Sequence, residues 1–427
     1  MRRGEVVEVT VARLGHEGDG IAEVEGTRLF VPFALPGERW RVRVEEPVYG
    51  GHRTRPLARL AGTAARAEPF CPRFGRCGGC RLQHLEAEAQ ARFKRERILE
   101  ELARRRVTVE VLEPVWTSPP ASRRRLRLAW SPGRRGRLPR LGFHRRHSRR
   151  IEPVDHCPVA RPEIDRLLGP LAEMLAESRV AACPVYLAVA ANGVDIALLT
   201  TWEAPPALWG RWETFAGAHG VARVALGAGI WAETLVRRTE PWVAVGDLRV
   251  PLPPAAFLQA TEEGERALVD FVGEAIRDGD RVVDLHAGLG VLTLPHHQRL
   301  RRLELVDRDR NAQIAVVRAL EAVGDPRLSY RVRDLEHAPL TPQELAAFDL
   351  VVLDPPRAGA RAQCEAIARS RLGRVVYVSC NPATFARDAR ILADAGFRLA
   401  RLRPVDQFVG SAEVELAALF LRGSADG

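Results

Sequence analysis

The sequence predicts an α/β protein in three parts: a small OB-like β-barrel, a β-rich central domain, and a C-terminal Rossmann-like domain on a doubly wound parallel sheet. Three observations carry this. Short alternating runs separated by Gly and Pro fill residues 5–60. Arginine-laced strand signals fill 107–250. From residue 255 onward, apolar runs of strand length alternate with helical periodicity, the pattern of βαβ units. The expected domains are 1–62, 63–250 and 251–427.

The barrel is read from Glu5-Val6-Val7-Glu8-Val9 and Arg39-Trp40-Arg41-Val42-Arg43-Val44, where apolar and polar residues alternate with the period of a strand. Gly18-Asp19-Gly20, Glu25-Gly26-Thr27 and Pro36-Gly37-Glu38 supply the turns. An antiparallel barrel of this size commonly holds single-stranded nucleic acid. Residues 85–106 follow as a helix of Glu, Ala, Gln, Arg and Leu. Leu126-Arg-Leu-Ala-Trp130, Val185-Tyr-Leu-Ala-Val189 and Trp242-Val-Ala-Val245 read as central strands. An amphipathic helix over 262–277 carries Leu268, Phe271, Val272, Ala275 and Ile276 on one face. Strands are expected at 281–285, 303–307, 328–332, 348–353 and 374–379, and a closing strand at 414–421.

The chain has 427 residues and a net charge of +10, carried almost wholly by arginine; Lys94 is its single lysine. That excess suits a polyanion, and the clusters Arg123-Arg124-Arg125 and 134–150 are the expected phosphate contacts. No run approaches the roughly 20 apolar residues of a membrane helix, and Met1-Arg2-Arg3-Gly4-Glu5 lacks the apolar core of a signal peptide. The expectation is a cytoplasmic monomer with no membrane partner. Seven cysteines make no disulfide framework, so the clustered ones read as metal ligands.

Four motifs carry chemistry. Asp284-Leu-His286-Ala287-Gly288-Leu-Gly290 closes a strand with a glycine turn that lets backbone approach a nucleotide-type cofactor. Asp307 ends the second strand, where an acid can accept ribose hydroxyls, and Asp334 the third, within reach of an adenine amine. With Asp354-Pro-Pro after the fourth strand, the set favours S-adenosyl-L-methionine over NAD. Val378-Ser379-Cys380-Asn381-Pro382 then sets a thiol at a strand end on the same sheet edge, as a nucleophile requires. Glu413 and Glu415 are two apart on the closing strand and so share a face. Finally, Cys71-x5-Cys77-Gly-Gly-Cys80, with distant Cys157, offers four thiolates to zinc or to an iron–sulfur cluster. Cys183 and Cys364 lack such context and read as structural.

In combination, Cys71-x5-Cys77-Gly-Gly-Cys80-x-Leu-Gln-His84, Phe257-Leu-Gln259, Asp354-Pro-Pro-Arg-Ala-Gly359, Ser379-Cys-Asn-Pro382 and Glu415-x3-Leu-Phe420 resemble the iron–sulfur-containing RNA (uracil-5-)-methyltransferases of the 23S rRNA type. The resemblance implies a TRAM barrel, a [4Fe-4S] cluster on Cys71, Cys77, Cys80 and Cys157, and S-adenosyl-L-methionine at Gln259, His286, Asp307, Asp334 and Asp354. It further implies Cys380 as the nucleophile that adds to carbon-6 of uracil, Glu415 as the base, and RNA, 23S rRNA in particular, as the partner. The chain departs from the family at His286 and Ala287, where an aromatic and a Cys are usual, and at Thr261, where Asn is usual. It also lacks the histidines that usually precede the base; Val409-Gly-Ser-Ala412 stands there. Two competing readings are an RNA cytosine-5-methyltransferase and an RNA-binding iron–sulfur protein that has lost catalysis.

Overall fold

The computed structural model describes residues 1–133 and 138–423; part of the arginine cluster at 134–150 lies outside them. Two compact units emerge. One comprises Met1–Arg97, His144–Arg150 and Phe408–Glu413; the other comprises Ile98–Phe143, Ile151–Gln407 and Val414 onward.

The first unit is built on a six-stranded sheet: β1 (Val6–Thr10), β2 (Arg13–Leu14), β3 (Gly20–Val24), β4 (Thr27–Val31), β5 (Arg39–Val48) and β6 (Gly51–Ala61), in the order β1-β5-β6-β4-β3-β2. The expected antiparallel pairing holds except between β4 and β6, which run parallel from Leu29↔His52. Alternation has the same period in both kinds of ladder, so the sequence cannot distinguish them. Val9, Leu29, Val31, Val42 and Val44 fill the barrel. Glu38 is buried and accepts hydrogen bonds from Leu35 N–H, Trp40 Nε1 and Arg66, which together hold its carboxyl below the usual range against the cost of burial. Lys94 is also buried in this unit and donates to Phe408 O at 3.1 Å.

The second unit holds three sheets. A seven-stranded sheet is formed by Arg125–Ser131, Arg140–His144, Ile151–Pro153, Cys183–Ala190, Gly193–Leu198, Val221–Leu226 and Glu233–Arg237. Trp242–Val245 and Leu248–Pro251 make a hairpin. The largest sheet contains β7 (Val109–Leu112), β8 (Arg281–Leu285), β9 (Arg302–Asp307), β10 (Leu328–Val332), β11 (Leu350–Leu353), β12 (Arg374–Ser379), β13 (Phe397–Asp406) and β14 (Glu415–Arg422). Its order is β10-β9-β8-β11-β12-β14-β13-β7. The five strands from β8 to β12 are parallel, as expected; β14 runs antiparallel to both of its neighbours. Trp116–Thr117 pairs with the end of β13.

Both faces of the sheet centre are covered, which is why Leu350–Leu353 and the run Val375-Val376-Tyr377-Val378 are apolar without interruption. Val282, Val352 and Val376 pack on one side with Leu268, Phe271 and Val272 of α1 (Glu262–Ala275) and Val316 of α2 (Arg310–Val323). Val283, Val351, Val375 and Tyr377 pack on the other with Phe385 and Ala389 of α3 (Pro382–Asp394). Each fully buried side chain such as Phe271 contributes about 1.5–3 kcal/mol. After the glycine loop the chain forms a 3-10 segment, Leu294–Arg299, with Pro295 in its first turn, rather than a long helix. No described helix is long and apolar enough to cross a membrane.

Candidate active site

Strand register assembles the site. β12 and β14 pair from Arg374↔Leu421 to Ser379↔Leu416. One further step of the same register sets Cys380 across from Glu415. In the parallel neighbours, Leu285↔Leu353 ends the β8–β11 ladder, so His286 and Asp354 leave the sheet side by side. Asp307 is the last residue of β9, next to β8. Asp307, His286, Asp354, Cys380 and Glu415 thus line the carboxyl edge of one sheet, where open α/β folds bind their ligands.

The glycine loop is held tightly. His286, Gly288 and Gly290 have φ of 62°, 51° and 73°. A Cβ on Gly290 would lie 2.5 Å from Leu294 Cδ1. Asp307 Oδ2 accepts Gly288 N–H at 2.9 Å and Oδ1 accepts Asp309 N–H at 2.8 Å; Tyr330 donates to Gly288 O at 2.9 Å. Asp307 therefore shapes the loop while keeping spare lone pairs for a ligand. Asp284 is buried. Its Oδ2 accepts the Thr293 hydroxyl at 2.6 Å and its Oδ1 has no partner. Burial pushes its carboxyl up to about 8, aided by Asp354 and Asp307 and opposed by Thr293. Burial also keeps the His286 ring neutral by lowering its pKa, against the pull of Asp307. Asp334 sits two residues beyond β10. Its carboxylate faces His337 and accepts Glu336 N–H at 3.0 Å, and these two interactions lower its pKa. The positive-φ loop, the neutral ring and the acids beyond three successive strands fit an adenosyl cofactor.

Gln259 is 3% exposed and gives Nε2 to Asp354 Oδ2 at 3.2 Å. Crowding by protein atoms and by Asp307 raises the Asp354 pKa, and Gln259 opposes the rise. Cys380 is half-buried. Burial and the carboxylates of Glu415 and Asp354 push its thiol up to about 12, with Arg357 pulling the other way. Asn381 caps α3, accepting Ala383 N–H at 3.2 Å and donating to Arg357 O at 2.9 Å, with Pro382 in the first turn. This is why Ser-Cys-Asn-Pro makes a sharp strand-to-helix turn. Glu415 is 4% exposed and opens β14. Glu413 precedes that strand and does not share a strand face with Glu415, contrary to the sequence expectation.

Sequence reasoning missed two members of this environment. Gln407 is 2% exposed and donates to Gln259 Oε1 at 2.9 Å. Arg125 stacks over Phe257 at 4.4 Å and feels Glu415, with burial and Arg123 and Arg124 holding its pKa down to about 10. The arginine cluster signalled Arg125 but assigned it to phosphate. Arg124 also departs from that expectation: it is buried, donates to Gln259 O and pairs with Glu265. Cys183 and Cys364 are buried as expected, with burial raising both thiols.

In the first unit, Cys71, Cys77 and Cys80 lie on one loop. Gly79 N–H points at Cys77 Sγ at 3.4 Å, and Cys71 N–H is fixed by Gln83 Oε1 at 3.1 Å. A Cβ on Gly78 would lie 2.6 Å from His144 O, so only glycine allows this approach. The N–H aimed at the Cys77 sulfur suits a thiolate at that position. Cys157 is buried in the second unit.

Residues 1–47 match the TRAM domain and residues 321–423 match tRNA (Uracil-5-)-methyltransferase. The 23S rRNA (uracil(1939)-C(5))-methyltransferase RlmD of Chromohalobacter salexigens is 34% identical, over 98% of this chain and 90% of its own length. This chain belongs to the RNA (uracil-5-)-methyltransferase family. A further member, an uncharacterized RNA methyltransferase of Caulobacter vibrioides, is 37% identical over 97% of this chain and 100% of its own. The solved Pyrococcus abyssi tRNA (uracil-54, C5)-methyltransferase, in complex with S-adenosyl-L-homocysteine, shares the fold with a TM-score of 0.77. It is 23% identical and covers 97% of this chain and 99% of its own. Residues 321–423, which the family model covers, lie in the Rossmann-like sheet described above, and the TRAM domain lies at the amino end.

Proposed function

We propose that this enzyme methylates carbon-5 of a uridine in RNA, with 23S rRNA as the substrate, through a covalent adduct between Cys380 and carbon-6. The observation that supports it best is the register that sets Cys380 across from Glu415, beside Asp354. Carbon-5 of uracil is a weak nucleophile. Addition of the Cys380 thiolate at carbon-6 converts the ring to an enolate with electron density at carbon-5. His286, Asp307, Asp334 and the glycine loop would hold S-adenosyl-L-methionine, which would give its methyl group to the electron-rich carbon-5 and leave as S-adenosyl-L-homocysteine. Glu415 then takes the carbon-5 proton; the ring's electron pair re-forms the double bond and expels the Cys380 thiolate. The high thiol pKa makes Cys380 a good leaving group only where a proton is at hand, which Glu415 can return. Gln259 and Asp354 order the space between cofactor and ring. By the family resemblance, Cys71, Cys77, Cys80 and Cys157 would hold a [4Fe-4S] cluster. RNA carrying 5-fluorouridine tests the reading, because fluorine cannot leave as a proton. A denaturation-resistant adduct should form with wild type and not with Cys380→Ala. An adduct that persists in Cys380→Ala would refute it.

A further inference from the structure

We infer that Gln407 is a positioning residue: it fixes which end of the Gln259 amide faces Asp354. The inference rests on the reading of this site as the methyl-transfer centre. A glutamine amide has nearly the same shape in both orientations, so only its partners choose between them. Here the choice begins at an atom that cannot reverse. Thr261 backbone N–H donates to Gln407 Oε1 at 3.4 Å. Gln407 must then turn its NH2 to Gln259 Oε1, at 2.9 Å. Gln259 must in turn offer its NH2 to Asp354 Oδ2, at 3.2 Å. A backbone donor thus sets the polarity of a chain of two amides that ends on a carboxylate.

The chain is built in, not incidental. Thr261, Gln407 and Gln259 are 1%, 2% and 3% exposed. Thr261 is itself pinned as the cap of α1, accepting Gly264 N–H at 3.0 Å and meeting Ser118 Oγ at 2.7 Å. Gly264 lies in the first turn of α1, within a helix in which glycine is a poorer former than alanine. A Cβ there would lie 2.4 Å from Gln407 Cγ and 2.7 Å from Thr261 Oγ1. The helix therefore carries a glycine at the place where Gln407 needs room.

The consequence falls on Asp354. Burial and the Asp307 carboxylate disfavour its ionised form, Asp354 in turn raises the pKa of Asp284 and of the Cys380 thiol, and Arg357 pulls that thiol the other way. The Gln259 NH2 favours the ionised form of Asp354. With the amide reversed, Oε1 would face Oδ2, and two acceptors repel unless Asp354 holds a proton. Hydrogen bonding to the charged form lowers a carboxyl pKa, so reversal raises it. An activity that needs ionised Asp354 disappears as pH falls through that pKa; reversal therefore moves the acid limb to higher pH.

Gln407→Glu tests this in the full-length enzyme. The carboxylate keeps the shape but only accepts, so Gln259 must turn its NH2 to it and its oxygen to Asp354. Gln407→Met removes the chain without reversing it. Each variant is measured for kcat and KM against pH with labelled S-adenosyl-L-methionine and a uridine-bearing RNA. Asp354 is titrated separately by carboxyl-labelled nuclear magnetic resonance. For Gln407→Glu we expect kcat near neutral pH to fall about 10- to 100-fold, as for loss of a hydrogen bond to a charged group. The acid limb and the Asp354 titration should both rise by about one pH unit, with KM for RNA little changed. Gln407→Met should shift both in the same direction by less, and it decides the matter if the glutamate variant does not fold. An Asp354 titration that is the same in wild type and in the folded variants overturns the inference. If the titration shifts but wild type makes no 5-methyluridine, the positioning role stands and the proposed function fails.

Discussion

In the resting enzyme Cys380 should resist alkylation, and Glu415→Gln should relieve that resistance. With the thiol pushed up to about 12, about one part in 10⁴ is thiolate at pH 8, against about one quarter for an ordinary cysteine. A more basic thiolate is intrinsically more reactive, by roughly 30-fold over such a difference. Together these make iodoacetamide react about 100-fold more slowly than with a free cysteine, before any steric shielding. Shielding is separated out by the pH dependence. Only the thiolate reacts, so the rate should rise tenfold per pH unit to about pH 11 with no plateau. Glu415 is the strongest of the charges that raise the thiol pKa, after burial itself. Removing its charge lowers the pKa, so Glu415→Gln should react faster at pH 8 and level off at lower pH. Modification of the Cys380 peptide, followed by mass spectrometry, gives both curves. A wild-type plateau below pH 9, or identical curves for the two proteins, would refute the electrostatic account.

Three other outcomes follow from the geometry. Glu415→Gln should let addition and methylation proceed but slow release, so an RNA–protein adduct accumulates on ordinary RNA; on a denaturing gel, Glu413→Gln should show none. Arg124→Ala strands the buried Glu265 carboxylate and should cost about 3–5 kcal/mol in urea unfolding, whereas Arg124→Met with Glu265→Gln should recover much of it. Cys80→Ser should lower the iron content of anaerobically purified protein; wild type holding zinc and no iron would exclude the cluster.

Much of the catalytic sheet was legible because its signals are local. The strands at 281–285, 328–332 and 374–379 are apolar runs ended by turns, and the structure has them at those residues. Cys380 was legible because Asn381 and Pro382 announce the helix that follows. What was not legible depends on distant partners. Arg124 reads as one of three surface arginines until Glu265 and the carbonyl of Gln259 meet it. Gln407 is an unremarked glutamine whose meaning lies in Thr261 and Gln259, on another part of the chain. Glu413 and Glu415 could not be separated by alternation alone, because the strand begins between them in space.

The strand β7 has a consequence for how the chain must be made. It seals the outer edge of β13, with Leu399 beside Val109, and Arg403 reaches Glu113, 290 positions earlier. The catalytic sheet is therefore finished by residues that leave the ribosome long before its own core exists. Until β13 arrives, the early segment has no ladder to join. A fragment beginning at 251 would leave β13 as a bare edge, open to pairing with other chains. Such a fragment should aggregate during synthesis, and one beginning at 98 should be far more soluble. Dissecting this enzyme by its sequence motifs alone would thus exchange the 4-residue edge of β7 for the 10-residue edge of β13.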